Sequence, residues 1–83
     1  MIIRQNTLSW HIVQILADGH KRTGSDIRQQ LWTRGVEYNP ESIYTMVAKL
    51  CRRDVLDRSG PLEGNARLFW LKPGATFELG DGI

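Results

Sequence analysis

Apolar residues recur at helical spacing in three stretches of the chain. The first stretch, residues 7–18, begins where a hydroxyl of Thr7 or Ser9 can cap a helix, and Gly19 follows it with the left-handed conformation that ends many helices. Its apolar positions follow the i, i+4, i+7, i+8 spacing that lines one helix face. They are Leu8, Ile12, Ile15 and Leu16. The pattern predicts a first helix with one buried side.

The second stretch is bounded by residues that favour helix ends. Thr23 or Ser25 can cap its start, and Gly35 can end it. Ile27 and Leu31 stand four residues apart and share a face. A second helix is therefore predicted here, connected to the first by a basic segment, residues 20–22, that can be extended.

The third stretch has the clearest helix start in the sequence. Asn39 is a favoured N-cap, and Pro40 fits the first helical position because its missing N–H is not needed there. A third helix ending near Arg53 is predicted. Its buried side is formed by Ile43, Val47, Leu50 and Cys51. At 100° per residue, the opposite side is one solvent-facing strip composed of Glu41, Thr45, Ala48, Lys49 and Arg52.

Two short β-prone runs follow the helices. Residues 55–58 and 67–71 are separated by a segment rich in turn formers, which predicts an antiparallel hairpin. Pro73 and Gly74 end the second run. The organisation expected is a single domain over residues 1–72 and a C-terminal tail over residues 73–83, to which glycines give flexibility. The large aromatic residues are expected in the core or at its edge. They are Trp10, Trp32, Tyr38, Phe69 and Trp70.

Composition excludes several classes of protein. The chain has 83 residues, of which 41% are hydrophobic, which is enough for one modest core but not for a large enclosed substrate cavity. Its one cysteine, Cys51, excludes an internal disulfide, and His11 and His20 lack partners at metal-ligand spacing. Since no catalytic set appears either, we expect no enzyme activity, no catalytic residues, no metal and no cofactor. Cys51 is expected to be a buried, inert thiol.

Apolar runs are too short for a membrane span, and the first residues lack the apolar region of a signal peptide. A cytoplasmic location, without membrane contact, is the expectation. The net charge of +2 is modest, but ten basic and six acidic residues lie between His20 and Lys72, so that span carries +4. Basicity is therefore concentrated in the second and third helices and the hairpin.

The order of elements, with helix, connector, helix, turn, helix and hairpin, resembles a winged helix-turn-helix domain. Residues 42–58 are similar to the third helix and first wing strand of bacterial regulators of the PadR, penicillinase-repressor and MarR kinds. The similarity rests on the pair Ile43-Tyr44, on Leu50 closing a basic helix, and on a hydrophobic pair followed by Arg58. It extends over about residues 8–71. Asp54 stands where those families usually have glycine, although Asp tolerates the left-handed conformation better than most residues.

The resemblance implies an α+β, mainly α fold, with three helices and a two-stranded C-terminal wing. It also implies a small bacterial or phage transcriptional regulator, associated with the nucleoid, that binds double-stranded DNA sequence-specifically. The third helix would enter the major groove and the wing would contact the backbone. No small-molecule ligand is expected, and limited phosphate contacts favour a homodimer or a partner protein.

Three groups of residues are expected to contact DNA. On the third helix they are Glu41, Ser42, Tyr44, Thr45, Ala48, Lys49, Arg52 and Arg53, on the hairpin Arg58, Asn65 and Arg67, and near the second helix Lys21, Arg22, Ser25 and Arg28. An alternative is a winged-helix protein-interaction module, such as an assembly subunit or a small inhibitor. The acidic residues Glu41, Asp57 and Glu63 close to the expected DNA face motivate that alternative. A third interpretation is that the strip is an ordinary solvated face.

Overall fold

The computed structural model of the protein describes residues 2–4, 6–59, 67–74 and 78–80. Three helices and a three-stranded antiparallel sheet place these residues in the mixed α+β class. The elements are β1 (Ile2–Arg4), α1 (Leu8–Leu16), β2 (Arg22–Thr23), α2 (Gly24–Thr33), α3 (Pro40–Arg52), β3 (Leu56–Arg58), β4 (Leu68–Leu71) and β5 (Glu78–Gly80). Each predicted helix is present.

The helix caps decide the alternatives that the sequence leaves open. The Thr7 hydroxyl accepts a hydrogen bond from the amide of Trp10 at 3.3 Å and so caps α1. Thr23 caps α2 in a capping box, in which it accepts from the Asp26 amide at 3.1 Å while the Asp26 carboxylate accepts from the Thr23 amide at 3.2 Å. Gly19 and Gly35 both have positive φ, as predicted for residues that end helices.

The ends of α3 are equally well defined. The Asn39 side chain accepts a hydrogen bond from the Glu41 amide at 2.9 Å, and Pro40 occupies the first turn. After Arg53, the chain turns at Asp54 with a φ of 60°, so this residue takes the left-handed conformation expected at that position. The turn directs the chain from α3 into β3.

The predicted hairpin is part of a larger sheet. Strands β3 and β4 pair antiparallel, with Asp57 opposite Trp70, and β2 pairs antiparallel with the other edge of β4. The sheet order is therefore β2-β4-β3. β2 was missed as a strand because its two residues are too few to show a period, although the connector that reaches it was expected to be capable of extension. The loop between β3 and β4 lies outside the described residues, except at its ends.

The two sides of this sheet differ. Phe69 and Leu71 pack against the core, opposite the buried Leu56 of β3, and define the inner side. Because side chains alternate along a strand, Leu68 and Trp70 lie on the outer side. Residues paired across strands share a side, so Arg22 and Arg58, which both pair with Phe69, belong to the inner side.

A second, two-stranded sheet joins the two ends of the chain. β1 and β5 pair in parallel, with Ile3 opposite Leu79. The sequence predicted neither strand, and β5 lies within the predicted C-terminal tail. Three-residue strands with no turn between them leave no hairpin signal, which explains the omission. Ile3 is only 1% exposed and belongs to the core.

One buried cluster connects all three helices with β1 and β3. Its members are Ile3, Leu8, Ile12, Val13, Ile15, Leu16, Ile27, Leu31, Ile43, Val47, Leu50, Val55 and Leu56. Trp10 and Phe69 pack against it, as expected, and Trp70 is half-buried. The expectation was wrong for two aromatic residues, because Trp32 is 71% exposed and Tyr38 is 44% exposed. Trp32 follows the buried Leu31 by about 100° around α2, and Tyr38 lies in the segment between helices.

No helix in the described part of the chain combines the length and the apolar character needed to cross a bilayer.

Candidate nucleic-acid interface

The side of α3 that faces away from the core is polar and basic. Glu41, Thr45, Lys49 and Arg52 are exposed, and Ala48 is half-buried among them. The opposite side of the helix, with Ile43, Val47 and Leu50, is buried in the core. The predicted division of α3 into a buried face and a solvent-facing strip is therefore confirmed, except that Cys51, which was predicted on the buried side, is half-buried. Ser42 and Arg53 are also exposed, beside this strip.

Tyr44 packs against the first residue of α2. A Cβ atom built on Gly24 would lie 2.6 Å from Cε1 of Tyr44, which is closer than two carbon atoms can approach without displacement. Glycine is therefore required for the observed contact between the tyrosine ring and the start of α2. Tyr44 is still 43% exposed, and the exposed Ser25 follows Gly24. The contact brings a phenol from α3 next to the positive end of the α2 dipole.

The basic side chains of α3 and β3 meet at a depression of about 300 Å³. Arg52 of α3, Arg58 of β3 and Lys72 line it, together with Asp54 and Asp57. Nζ of Lys72 lies 3.1 Å from Oδ1 of Asp54, so this ion pair neutralises one of the acidic groups. Helix and sheet thus present cations at one continuous site.

Ion pairing leaves most of these cations available. Among the described residues, the carboxylates that form salt bridges are Asp18 and Asp54. Within the same residues, Lys49, Arg52, Arg53 and Arg58 therefore make no salt bridge, and all four are exposed. Their charge is directed to solvent.

The predicted residues around β2 behave differently. The Arg22 guanidinium donates to Oδ2 of Asp18 at 2.7 Å, and its side chain is only 23% exposed, so Arg22 is occupied in a contact within the chain. Nζ of Lys21 lies 4.6 Å from the centroid of the Trp70 ring, in cation–π geometry, although Lys21 remains exposed. Arg28 borders a different depression, between α2 and α3.

Two predicted contacts of the hairpin have different positions. Arg67 is half-buried at the start of β4, whereas Asn65 lies outside the described residues. Glu63, one of the acidic residues that motivated the alternative of a protein-interaction module, also lies outside the described residues.

Cys51 is half-buried, not fully buried as the sequence predicts. Burial raises the pKa of the Cys51 thiol above its usual range, so the neutral thiol predominates near pH 7. The pKa of His11 is lowered. Burial of the imidazole is the larger cause, and the positive charge of Arg34 is the smaller one. Nδ1 of His11 is buried and has no hydrogen-bond partner among the described residues.

Sequence reasoning missed the depression of about 470 Å³ between α2 and α3. The exposed Trp32 and Tyr38 line it, although both are expected from the sequence in the core or at its edge. The position of Trp32, about 100° from Leu31 on the helical wheel, is the signal that could have placed it at the surface.

No protein-family model, no curated protein and no solved structure matches the chain.

Proposed function

We propose that the protein is a winged helix-turn-helix DNA-binding protein that acts as a small transcriptional regulator. The observation that supports this most strongly is the meeting of Arg52 on α3 with Arg58 on β3 at one depression, beside the solvent-facing strip. The strip supplies a helix face, and the sheet supplies a second, adjacent contact. This combination matches the geometry of a helix in the major groove with a wing on the flanking backbone.

The placement and chemistry of the strip support a role in base recognition. An α-helix fits the major groove, and the polar face of α3 is supported from behind by the buried Ile43, Val47 and Leu50. In this proposal the Thr45 hydroxyl or methyl contacts a base edge, and Lys49 reaches a guanine acceptor. The Glu41 carboxylate accepts a hydrogen bond from a cytosine amino group in the same arrangement. The side chain of Ala48 is small and permits close approach.

Phosphate contacts would surround these base contacts. Arg52, Arg53 and Arg58 carry charges that no described carboxylate neutralises in a salt bridge. Tyr44 and Ser25 offer hydroxyl groups near the start of α2, where backbone amides favour a phosphate. Arg22 is omitted from the proposed contacts because its guanidinium is paired with Asp18.

A salt titration of DNA binding tests the proposal. Anisotropy of a labelled duplex measures the association constant of the full chain over a series of NaCl concentrations. Each phosphate contact contributes about 0.9 to the slope of log K against log [NaCl], so the double substitution Arg52→Ala and Arg53→Ala, which removes two proposed phosphate contacts, should reduce the magnitude of that slope by about 2. The affinity of the double variant for the duplex should also be lower than that of wild type.

The matched control is the double substitution Arg4→Ala and Arg34→Ala. It removes two exposed cations that lie outside the proposed interface, and Arg34 is directed toward Trp10, 5.9 Å from the ring centroid. The control should keep the wild-type slope. Equal slopes for the two double variants, or wild-type binding that does not respond to salt, would contradict the proposal. Selection from a random duplex pool then tests specificity, since a regulator must enrich a sequence motif and Thr45→Ala must relax one position of it.

A second candidate is a protein-interaction module, which the exposed aromatic pair Trp32 and Tyr38 favours. It predicts that the strip variants leave every nucleic-acid measurement unchanged, because wild type would not bind DNA.

A further inference from the structure

The depression between α2 and α3 has an apolar floor and an aromatic rim. Leu31 and Ile43 come from the core, Val36 is half-buried, and Tyr38 and Pro40 form one side. Its volume is about 470 Å³. None of the cations on the strip lines it, although Tyr38 also borders a neighbouring depression that Thr45 and Lys49 of the strip line.

Trp32 projects beside this depression. With 71% of its surface exposed, it is the most exposed of the large hydrophobic side chains of the described residues. Tryptophan is among the residues that most often anchor protein interfaces. The same surface therefore carries both a protruding apolar side chain and an apolar recess.

Opposite charges border the recess. Arg28 lies one helical turn before Trp32 on α2, and Glu37 lies in the segment that leads to α3. Both are exposed, and neither forms a salt bridge with any described residue. A two-fold axis allows such a surface to bind a copy of itself, because it places the protruding side chain of each copy opposite the recess of the other and each cation opposite an anion.

We propose that this surface binds a second copy of the chain. In the resulting two-fold dimer, Trp32 of each chain enters the recess of the other, and Arg28 of each chain pairs with Glu37 of the other. The surface is an interface between identical chains and does not depend on DNA.

Sedimentation equilibrium of the full chain, without DNA, tests the proposal over a micromolar to submillimolar concentration series. Wild type should populate a dimer. Trp32→Ala removes two anchoring tryptophans from each dimer, and about 30-fold is usual for one, so the dimer dissociation constant should rise by more than about 30-fold. Because Trp32 is mostly exposed, the variant should keep its fold, which circular dichroism verifies. A wild-type chain that remains monomeric throughout the series overturns the proposal.

Charge reversal identifies the contact itself. Arg28→Glu alone and Glu37→Arg alone each place like charges opposite one another and should weaken association. An equimolar mixture of the two variants should associate again, because both ion pairs of the mixed dimer are then favourable. Arg4→Glu, a reversal on β1 away from the recess, should leave the dissociation constant unchanged. A mixture that associates no better than its components contradicts the pairing, and this outcome would leave the proposed DNA binding intact, since that is measured separately.

Discussion

The absence of a side chain at Gly24 leaves the space that the ring of Tyr44, a candidate DNA contact, occupies. The tyrosine ring occupies the space that any Cβ at residue 24 would take, with only 2.6 Å between the two carbons. Gly24 does not have a positive φ, so its role is to allow close approach and not to permit an unusual backbone conformation. The position of Tyr44 therefore depends on this glycine.

We predict that Gly24→Ala has opposite effects in two backgrounds. In wild type it should lower the free energy of unfolding by about 1 kcal/mol, because the ring must move. In a Tyr44→Ala background, where the space is free, it should raise that free energy by about 0.4 to 1 kcal/mol, since alanine restricts the unfolded chain. Urea unfolding of the four proteins measures both values. The same change in both backgrounds would show that the ring does not limit residue 24.

Single-residue expectations succeeded where a local rule determines the outcome. Asp54 adopts the left-handed conformation expected at a turn, and Thr23 caps α2 by bonds to its own neighbours. Trp32 was misplaced because hydrophobicity alone was used to assign it, whereas its side of the helix faces solvent. Residue type alone does not distinguish an apolar side chain on an exposed surface patch from one in the core.

At the scale of elements, the sequence predicted what is periodic or capped. All three helices were found because their apolar spacing and end signals agree, and β3 and β4 because turn formers separate two β-prone runs. β1 and β5 were missed because their pairing joins distant parts of the chain with no local turn. The polar strip of α3 could be predicted from the helical period, but its junction with Arg58 and Lys72 required the sheet.

The pairing of β1 with β5 gives Ile3 a structural role that its terminal position does not suggest. We predict that Ile3→Ala lowers the free energy of unfolding by about 2 to 5 kcal/mol, because the side chain is almost fully buried and its loss leaves a cavity. Ile27→Ala, in α2, is the comparison for a core residue and should have an effect of similar size. Arg4→Ala, next to Ile3 but exposed, should change stability by less than about 0.5 kcal/mol. A small effect of Ile3→Ala in urea unfolding would mean that β1 does not contribute to the core.

At the scale of the whole molecule, the small net charge of +2 conceals an uneven distribution. Among the described residues, acidic groups are paired at two places, Asp18 with Arg22 and Asp54 with Lys72, while Arg52 and Arg58 remain exposed at their shared depression. The concentration of charge could be counted from the sequence. The sequence could not show which cations are neutralised, because the ion pairs depend on how β2, β4 and α3 are arranged.

Two buried or paired groups should give the stability of the molecule a two-step dependence on acid. Burial and Arg34 lower the pKa of His11 from its usual value of 6.5, so the unfolded chain binds a proton before the folded chain does. The free energy of unfolding should therefore fall as the pH drops below about 6.5 and level off once folded His11 is also protonated. The hydrogen bond from the His20 amide, with the Arg22 side chain, lowers the pKa of Asp18 from 3.8. The contribution of Asp18 to the free energy of unfolding is present above about pH 3.8 and is lost as the pH falls below it.

Urea unfolding across a pH series separates the two steps. His11→Gln removes the proton-binding group next to Trp10 and Arg34, so the fall that begins near pH 6.5 should disappear while the fall below pH 3.8 remains. Asp18→Asn should have the converse effect. His20→Gln is the control for the first step, because that side chain is exposed. If His20→Gln and not His11→Gln abolishes the first step, the half-buried imidazole of His11 is not its origin.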